Sequence, residues 1–496
     1  MKYGSILLWL VLLLGGMLTA SGQKDSLYRI ERLSFSSIAY DEYAPVLLNA
    51  RNQLIFVANR SAGGLFKHST EKGTPLENYF FVTRKKDSTF TGSPRVFASE
   101  LVSGSNKGPM VFSRDGTKMY LTKNIIEPGR LKNYLGTNNL LGIFESSFVG
   151  GRWTSPTLIT AINANGYNTC HPALSPDGKR MYFASDRPGG FGRMDLWYSD
   201  FVKGQWTEPK NLGPVINTSF NEVYPTCAPD GRLYFSSNRP DKTIGKLDIF
   251  YSELVNGQWI EPRRLPEPFN SRYNDLCFVP EGNGDRGFFS SDRYDRTTSD
   301  VFYFSITEPK FGTPEPLKMP RLCYTFFENM GVVIDTAIAV YEWTFSDGAR
   351  HRGLEAYHCF PGTGEYTVEL NVVNKLQGTV EKNVVAYYFP IEKIEQPWIA
   401  CPDTIKVNEW VEFSGSDSWF VSFVPERYYW DFGDGSKAMG ITVRYQYVRP
   451  GKYRVRLGIS GKDQGEGKPA TRASYKDVVV EGDYTLTPSV HNSYFK

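Results

Sequence analysis

Along residues 168–314 the chain repeats one order of apolar and polar positions. An apolar stretch ends in Ser175-Pro176-Asp177-Gly178. A second follows at Met181-Tyr182-Phe183-Ala184-Ser185 and closes on Asp186-Arg187, and a third is Asp195-Leu196-Trp197-Tyr198. Gly204-Gln205-Trp206 and Pro209 complete the unit. About 53 residues later the order returns as Asn221, Asp230-Gly231, Tyr234-Phe235-Ser236-Ser237-Asn238-Arg239, Asp248-Ile249-Phe250-Tyr251, Gly257-Gln258-Trp259 and Pro262. A third copy begins at Asn274, carries Phe288 to Arg293 and Asp300-Val301-Phe302-Tyr303, and puts Phe311 and Pro314 in the Trp and Pro places. Looser copies upstream hold Asp115-Gly116, Met119-Tyr120-Leu121, Trp153 and Pro156, and then Leu54 to Arg60 with Phe90. Short apolar runs between turn signals predict strands, four to a unit. Asp-Gly suits the hairpin between the first two, because Gly accepts positive φ and Asp tolerates it.

A recurring four-stranded unit predicts the blade of a β-propeller. Five units are counted. Arg29-Ile30-Glu31-Arg32-Leu33 resembles the outer-strand pieces Lys210-Asn211-Leu212 and Arg263-Arg264-Leu265 and reads as an added strand that helps close the ring. If that strand and its divergent neighbours form a blade of their own, the ring has six.

A second repeat follows at an offset of 87 residues. Trp343-Thr344-Phe345-Ser346-Asp347-Gly348 matches Trp430-Asp431-Phe432-Gly433-Asp434-Gly435, Phe360 matches Tyr447, and Gly364 matches Gly451. The alternating Tyr366, Val368, Leu370, Val372 match Tyr453, Val455, Leu457, Ile459. Period-two alternation buries one face of each strand, which is how two-sheet sandwiches are built. The expected organisation is all-β: a propeller over 23–317, immunoglobulin-like domains over 318–392 and 393–481, and a tail over 482–496. Prolines at 314, 316 and 320 and at 390 and 397 interrupt pairing at the two joints.

Lys2 and the apolar run Ile6 to Leu14, followed by Thr19-Ala20-Ser21-Gly22, read as a secretory signal peptide over 1–22 with Gln23 as the first mature residue. The run is shorter than the ~20 residues a spanning helix needs. No cysteine precedes Cys170, so no lipoprotein anchor is encoded after the leader, and no later stretch is apolar enough to span a bilayer. With 56 basic and 53 acidic residues the charge is nearly balanced, which implies no nucleic-acid partner. Aromatic content of 15%, 46 Gly and 30 Pro suit many short strands and tight turns. Cys170, Cys227 and Cys277 fall at three different repeat positions, as isolated core thiols do. Cys323 and Cys359 either pair across strands or stay reduced, and Cys401 leaves the pairing open.

The Ser-Pro-Asp-Gly turn with Tyr-Phe-Ala-Ser-Asp-Arg and Asp-Leu-Trp-Tyr resembles the PD40 or TolB-type WD40-like propeller repeat. Trp430 to Gly435 with Tyr445-Gln446-Tyr447 and Pro450-Gly451-Lys452-Tyr453 resembles the PKD domain; the first copy departs from it at Thr344 and Ser346. Arg187-Pro188-Gly189-Gly190-Phe191-Gly192 before Asp195-Leu196 is similar to Bacteroidota envelope proteins of the OmpA family, among them a peptidoglycan-associated subunit of type IX secretion and gliding. That resemblance implies an envelope protein that binds other proteins. The chain has no OmpA-like peptidoglycan-binding domain after its PKD pair and no lipoprotein cysteine, so cell-wall anchoring is not carried over.

Arg187 with Asp195, Arg239 with Asp248 and Arg293 with Asp300 recur once per unit. A catalytic group is needed once per site, so the expectation is charge-assisted ties between loop and strand. Trp153, Trp206 and Trp259 are expected to pack between blades rather than stack on sugars. Asp177, Asp230, Asp347 and Asp434 read as turn formers, because the alternating oxygen ligands of a calcium loop are missing. Trp343, Gly364, Trp430 and Gly451 read as the frame of the sandwiches. No zinc spacing, nucleophile elbow or phosphate loop is present, so no cofactor, metal or catalytic residue is assigned.

Three functions remain in order of preference. The first is a non-catalytic interaction scaffold at the periplasm or outer membrane, with the cell surface as a further location, bound to envelope or secretion-machinery proteins. The second is a secreted carbohydrate- or matrix-binding protein, and the third a propeller lyase or hydrolase. The insertion Ile125 to Leu141, with Arg130, Lys132 and Tyr134, is the candidate partner-binding loop.

Overall fold

A computed structural model describes residues 26–61, 75–85, 90–125, 140–240, 242–282, 284–328, 334–421, 423–465 and 467–482. The leader and the loop residues Arg130, Lys132 and Tyr134 lie outside the described residues. The described chain is all-β, with two short 3-10 turns and no α-helix. It divides into a unit ending at Thr307 and a second spanning Glu308–Thr485. Residues 308–317, which sequence places with the propeller, therefore belong with the second unit.

Among the described residues the first unit contains five antiparallel sheets of four or five strands, and beside them the short pair Leu254–Val255 and Gln258–Trp259. Sheet 1 is Glu42–Leu48, Gln53–Ala58, Asn78–Arg84 and Phe90–Val96. Sheet 2 is Lys107–Phe112, Lys118–Asn124, Leu141–Val149 and Thr157–Leu158. Sheet 3 is Thr169–Leu174, Arg180–Ser185, Asp195–Val202 and Lys210–Asn211. Sheet 4 is Glu222–Cys227, Leu233–Ser237, Asp248–Ser252 and Arg263–Arg264. Sheet 5 takes Asp275–Glu281, Arg286–Ser291 and Asp300–Ile306 from the end of the unit and Tyr28–Arg32 from its beginning.

The first strand of each sheet lies beside the first strand of the next, and that of sheet 5 beside that of sheet 1. This is a propeller-like arrangement. The added strand pairs Arg32 with Phe302 just as Arg264 pairs with Phe250 and Asn211 with Trp197, so it fills the outer place of sheet 5. Phe311 and Pro314 do not belong to that sheet: Phe311 packs on Tyr429 in the second unit, with ring centroids 5.8 Å apart. The middle strands are buried on both faces, Leu233–Ser237 completely, which is why they read as unbroken apolar runs rather than alternating ones.

The second unit holds two sandwiches with matching strands. Ala339–Phe345, Arg350–Arg352, Gly364–Asn374 and Val380–Ile391 form the larger sheet of the first, opposite the pair Cys323–Phe327 and Glu355–Cys359. The second repeats this with Phe423–Asp431, Lys437–Met439, Gly451–Asp463 and Pro469–Glu481, opposite Val411–Ser414 and Thr442–Tyr445. Trp343 and Trp430 are buried at equivalent places and donate Nε1–H to the carbonyls of Gly353 (3.2 Å) and Gly440 (2.8 Å). Cys323 and Cys359 stand opposite each other on paired strands and form a disulfide, whereas Cys170, Cys227, Cys277 and Cys401 are free thiols.

Candidate functional site

The recurring polar side chains hold each sheet to the one before it. Asn168 donates its backbone N–H to Asp186 Oδ1 (2.6 Å) and its amide to Asp186 Oδ2 (2.7 Å), while its own Oδ1 accepts the N–H of Leu141 in sheet 2 (3.0 Å). Asn106 with Asn124 and Asp41 with Asn59 repeat this in sheets 2 and 1. Asp41 Oδ1 accepts Ser299 N–H at 3.0 Å, which carries the seam from sheet 5 to sheet 1.

Arg187, Arg239 and Arg293 do not meet Asp195, Asp248 and Asp300. Each arginine turns back to the preceding sheet's connection: Arg187 donates to Ile162 O (2.5 Å), Arg239 to Ile216 O (2.7 Å) and Arg293 to Pro268 O (2.7 Å). At the start of its own sheet's first strand Arg239 meets Glu222 (3.4 Å) and Arg293 meets Asp275 (2.5 Å), whereas Arg187 donates to the neutral Thr169 Oγ1 (3.0 Å). The aspartates look the other way. Asp195 accepts from Phe191 N, Gly192 N and Asn211 Nδ2, Asp248 from Ile244 N and Gly245 N with Arg264 at 3.5 Å, and Asp300 takes both its bonds from Arg32 at 2.8 Å. Outer-strand residues are thus the partners, because the third strand lies between the arginine's strand and the outer one. The charged pairs are spread through separate sheets.

Asp177 and Asp230 accept the N–H two residues on, from Lys179 and Arg232, and act as turn formers. Trp206 packs on Tyr120 (5.7 Å) and Trp259 on Tyr182 (6.1 Å), each ring belonging to the preceding sheet; Trp153 meets Phe97 at 6.3 Å. Asp347 pairs with His358 Nε2 at 2.7 Å, and Asp434 accepts from Tyr445 Oη at 2.5 Å, so the two sandwiches use one loop-to-strand tie with different donors. Gly364 and Gly451 open equivalent long strands in the two sandwiches. Sequence reading missed Asn163, Asn217 and Asn270. Each bonds the third strand's first inward N–H, from Ile143, Leu196 and Ile249, and its signal was the recurring apolar-Asn pair at Ile162, Ile216 and Phe269.

Where the five first strands converge, each carries a bulge: between Tyr43 and Val46, Lys107 and Met110, Cys170 and Ala173, Val223 and Thr226, and Leu276 and Val279. A bulge re-aims a side chain. Ala44, His171, Tyr224 and Cys277 occupy the bulge with φ of 51°, 57°, 52° and 55°. Their sizes are uneven, and the two large members stack: His171 and Tyr224 rings lie 4.0 Å apart and 12° from parallel. Both line an apolar recess of about 180 Å³ with Pro109, Met110, Cys227 and Cys277, and one of mixed lining of about 340 Å³ with Asn221, Asn238, Lys246 and Leu247.

Burial sets the chemistry of this centre. Loss of water pushes the His171 pKa down to about 3, so the imidazole is neutral at pH 7. The same desolvation raises the Cys227 thiol to about 12, drives Cys277 and Tyr224 upward, and lifts Glu77, which accepts from Tyr43 Oη at 3.1 Å, to about 7. A protonated thiol is a poor nucleophile, and an imidazole with so low a pKa is a weak base. Among the described residues no group of three or more His, Cys, Asp or Glu is placed to hold a metal ion.

Residues 326–387 and 395–475 each match the model of the PKD domain, so both sandwiches are PKD domains. Solved structures with similarity include a gluconolactonase from Xanthomonas campestris, 11% identical, with 56% of this chain and 89% of that chain covered at a TM-score of 0.32. Others are a protein of unknown function from Dyadobacter fermentans, 11% identical, with 91% and 99% covered at 0.33, and the calcium-binding protein regucalcin from Agrobacterium tumefaciens, 12% identical, with 53% and 90% covered at 0.31. Similarity at this level assigns no activity to the chain.

Proposed function

We propose that the chain is a non-catalytic interaction scaffold of the bacterial envelope: a five-bladed propeller closed by Tyr28–Arg32, carrying two PKD domains. The observation that carries this reading is the use made of the recurring Arg, Asp and Asn side chains. All are engaged in ties between neighbouring strands and sheets, and at the centre a neutral His171 stacks on Tyr224. What remains for function is the surface, which suits binding. PKD domains are typical of extracellular and surface proteins, and the Cys323–Cys359 disulfide suits an oxidising compartment. No helix among the described residues is long and apolar enough to cross a membrane. The Arg187-to-Leu196 wording supports a place beside secretion, gliding or outer-membrane assembly machinery.

Affinity purification of the tagged chain from crosslinked envelopes tests the reading. Recovery of outer-membrane or secretion-machinery proteins supports it. Retention on glycan with no protein partner replaces it with the carbohydrate-binding alternative.

A further inference from the structure

The two PKD domains keep one fold at an offset of 87 residues and differ at one edge. In the second domain Pro469–Glu481 does not end its sheet. Thr404–Lys406 pairs with it in parallel opposite Val479 to Glu481, and Glu315–Pro316 pairs in parallel opposite Ser474 and Tyr475. Leu317 N donates to Tyr475 O, and Val479 N to Asp403 O, both at 2.9 Å. Ser474 Oγ donates to Pro397 O (2.7 Å) and Lys476 Nζ to Cys401 O (2.6 Å), so residues 397–406 cover the strand, with Ile405 buried in the core.

In the first domain the counterpart Val380–Ile391 is the last strand of its sheet, and among the described residues no strand pairs with its outer side. Counting back 87 positions from 397–406 gives 310–319, and that stretch lies on the second domain instead. Phe311 fills the space over Gly458, where even a Cβ would come within 2.4 Å of its ring, and Lys318 exchanges two hydrogen bonds with Gln396, at 2.9 and 2.7 Å. The first domain has given up its cover. Val385, Phe389 and Ile391 face its core, and alternation puts Tyr387, opposite Val368, on the same face; yet Tyr387 is 39% exposed, whereas Lys476, its counterpart by register opposite Val455, is partly buried beneath residues 397–406.

A long strand whose outward N–H and C=O groups have no partner strand is a template for strand addition, with backbone bonds supplying affinity and side-chain pockets the selectivity. The register identifies the outward groups. Tyr475 presents its carbonyl to Leu317; by register Ala386 presents the equivalent one, and Tyr388, two residues on, faces the same way. Pro390, the counterpart of Val479, has no N–H to give an added strand, so the seam left open is the one over 385–388 that matches Glu315–Pro316 in the second domain.

We propose that the outer edge of Val380–Ile391 is a strand-acceptor site for an extended, proline-flanked segment of another polypeptide, added in parallel with one apolar side chain covering Tyr387. Both segments accepted by the second domain run parallel and follow a proline, Pro314 and Pro402. Two copies of Val380–Ile391 meeting about a two-fold axis would run antiparallel, so the parallel seams of the second domain favour a different donor. The proposal rests on the scaffold reading and supplies it with a surface and a partner chemistry.

The test titrates a fluorescent synthetic peptide of residues 310–319 into the full chain, with anisotropy and amide hydrogen exchange as readouts. Saturable binding is expected, with slower exchange over residues 385–392 and none of that change over 469–481. N-methylation of the peptide at its Leu317 position should weaken binding about tenfold, the size of one lost hydrogen bond, and Tyr388→Pro should do the same. The modified peptide reports on the seam even where the protein variant folds poorly. Unchanged exchange over 385–392 at saturation, or equal binding of the N-methylated peptide, overturns the proposal. So does slow exchange over 385–392 in the free chain together with a dimer in sedimentation, which would assign the edge to a second copy. Only purified components enter this assay, so its failure leaves the envelope crosslinking result standing, and the reverse holds.

Discussion

Arg32→Ala should open the ring at its closing strand. Asp300 is fully buried and receives both its hydrogen bonds from Arg32, at 2.8 Å each, in a bidentate pair backed by the Tyr294 ring 4.2 Å from the guanidinium. Removing the arginine leaves a buried carboxylate without a counter-charge, which costs about 3–5 kcal/mol in buried pairs. The Arg32 side chain is 23% exposed and water can reach part of the gap, so about 3 kcal/mol is expected. Arg264→Ala is the internal control. Its contact with Asp248 is 3.5 Å, its side chain is 35% exposed, and Asp248 keeps two backbone donors, so about 1 kcal/mol is expected there.

The two variants should also differ in kind. Arg264 lies on a strand that follows its partner strand closely in sequence, whereas Arg32 is 268 residues from Asp300 and its strand can leave without unfolding the rest. Denaturant unfolding gives the magnitude, and hydrogen exchange over 28–32 gives the location. The Arg32→Met, Asp300→Leu double variant should be more stable than Arg32→Met alone, since it removes the stranded charge. Loss of less than about 0.5 kcal/mol in Arg32→Ala, a size usual for neutral surface changes, with unchanged exchange over 28–32, would refute the latch.

Three further outcomes are expected. Glu77 has a folded pKa near 7, above its unfolded value, so it favours the folded state below the unfolded pKa and that benefit disappears as pH rises through 7; Glu77→Gln should gain stability relative to the parent between pH 5 and pH 8 by about 1–3 kcal/mol, measured by denaturation at both pH values. Gly192→Ala should cost about 1–3 kcal/mol, because a Cβ there would stand 2.2 Å from Thr218 O and 2.4 Å from Phe220 O; a calorimetric transition within 1 °C of the parent's would count against that packing. Reduction of Cys323–Cys359, which closes a separation of 36 residues, should destabilise the first PKD domain by about 4 kcal/mol by chain entropy; calorimetry with reductant should move one transition and leave the second PKD domain's in place.

The sequence by itself determined the strands, the hairpin turns and the kinship of the two PKD domains. These depend on neighbours in the chain: alternation sets which face is buried, and Asp-Gly at 177–178 and 230–231 sets the turn, whatever lies beyond. It also singled out the right residues as recurring, Arg187, Asp195 and Trp206 among them. Their partners were another matter. Arg187 bonds Ile162 and Asp195 bonds Asn211 although their strands are neighbours, with Ser185 opposite Asp195, because Arg187 turns to the preceding sheet's connection and Asp195 to the outer strand. The latch between Arg32 and Asp300, the transfer of Phe311 to the second PKD domain, and the stacking of His171 on Tyr224 at the centre were decided only in three dimensions. Each joins segments far apart in the chain, where many pairings satisfy the local pattern equally and only close packing of the whole selects one.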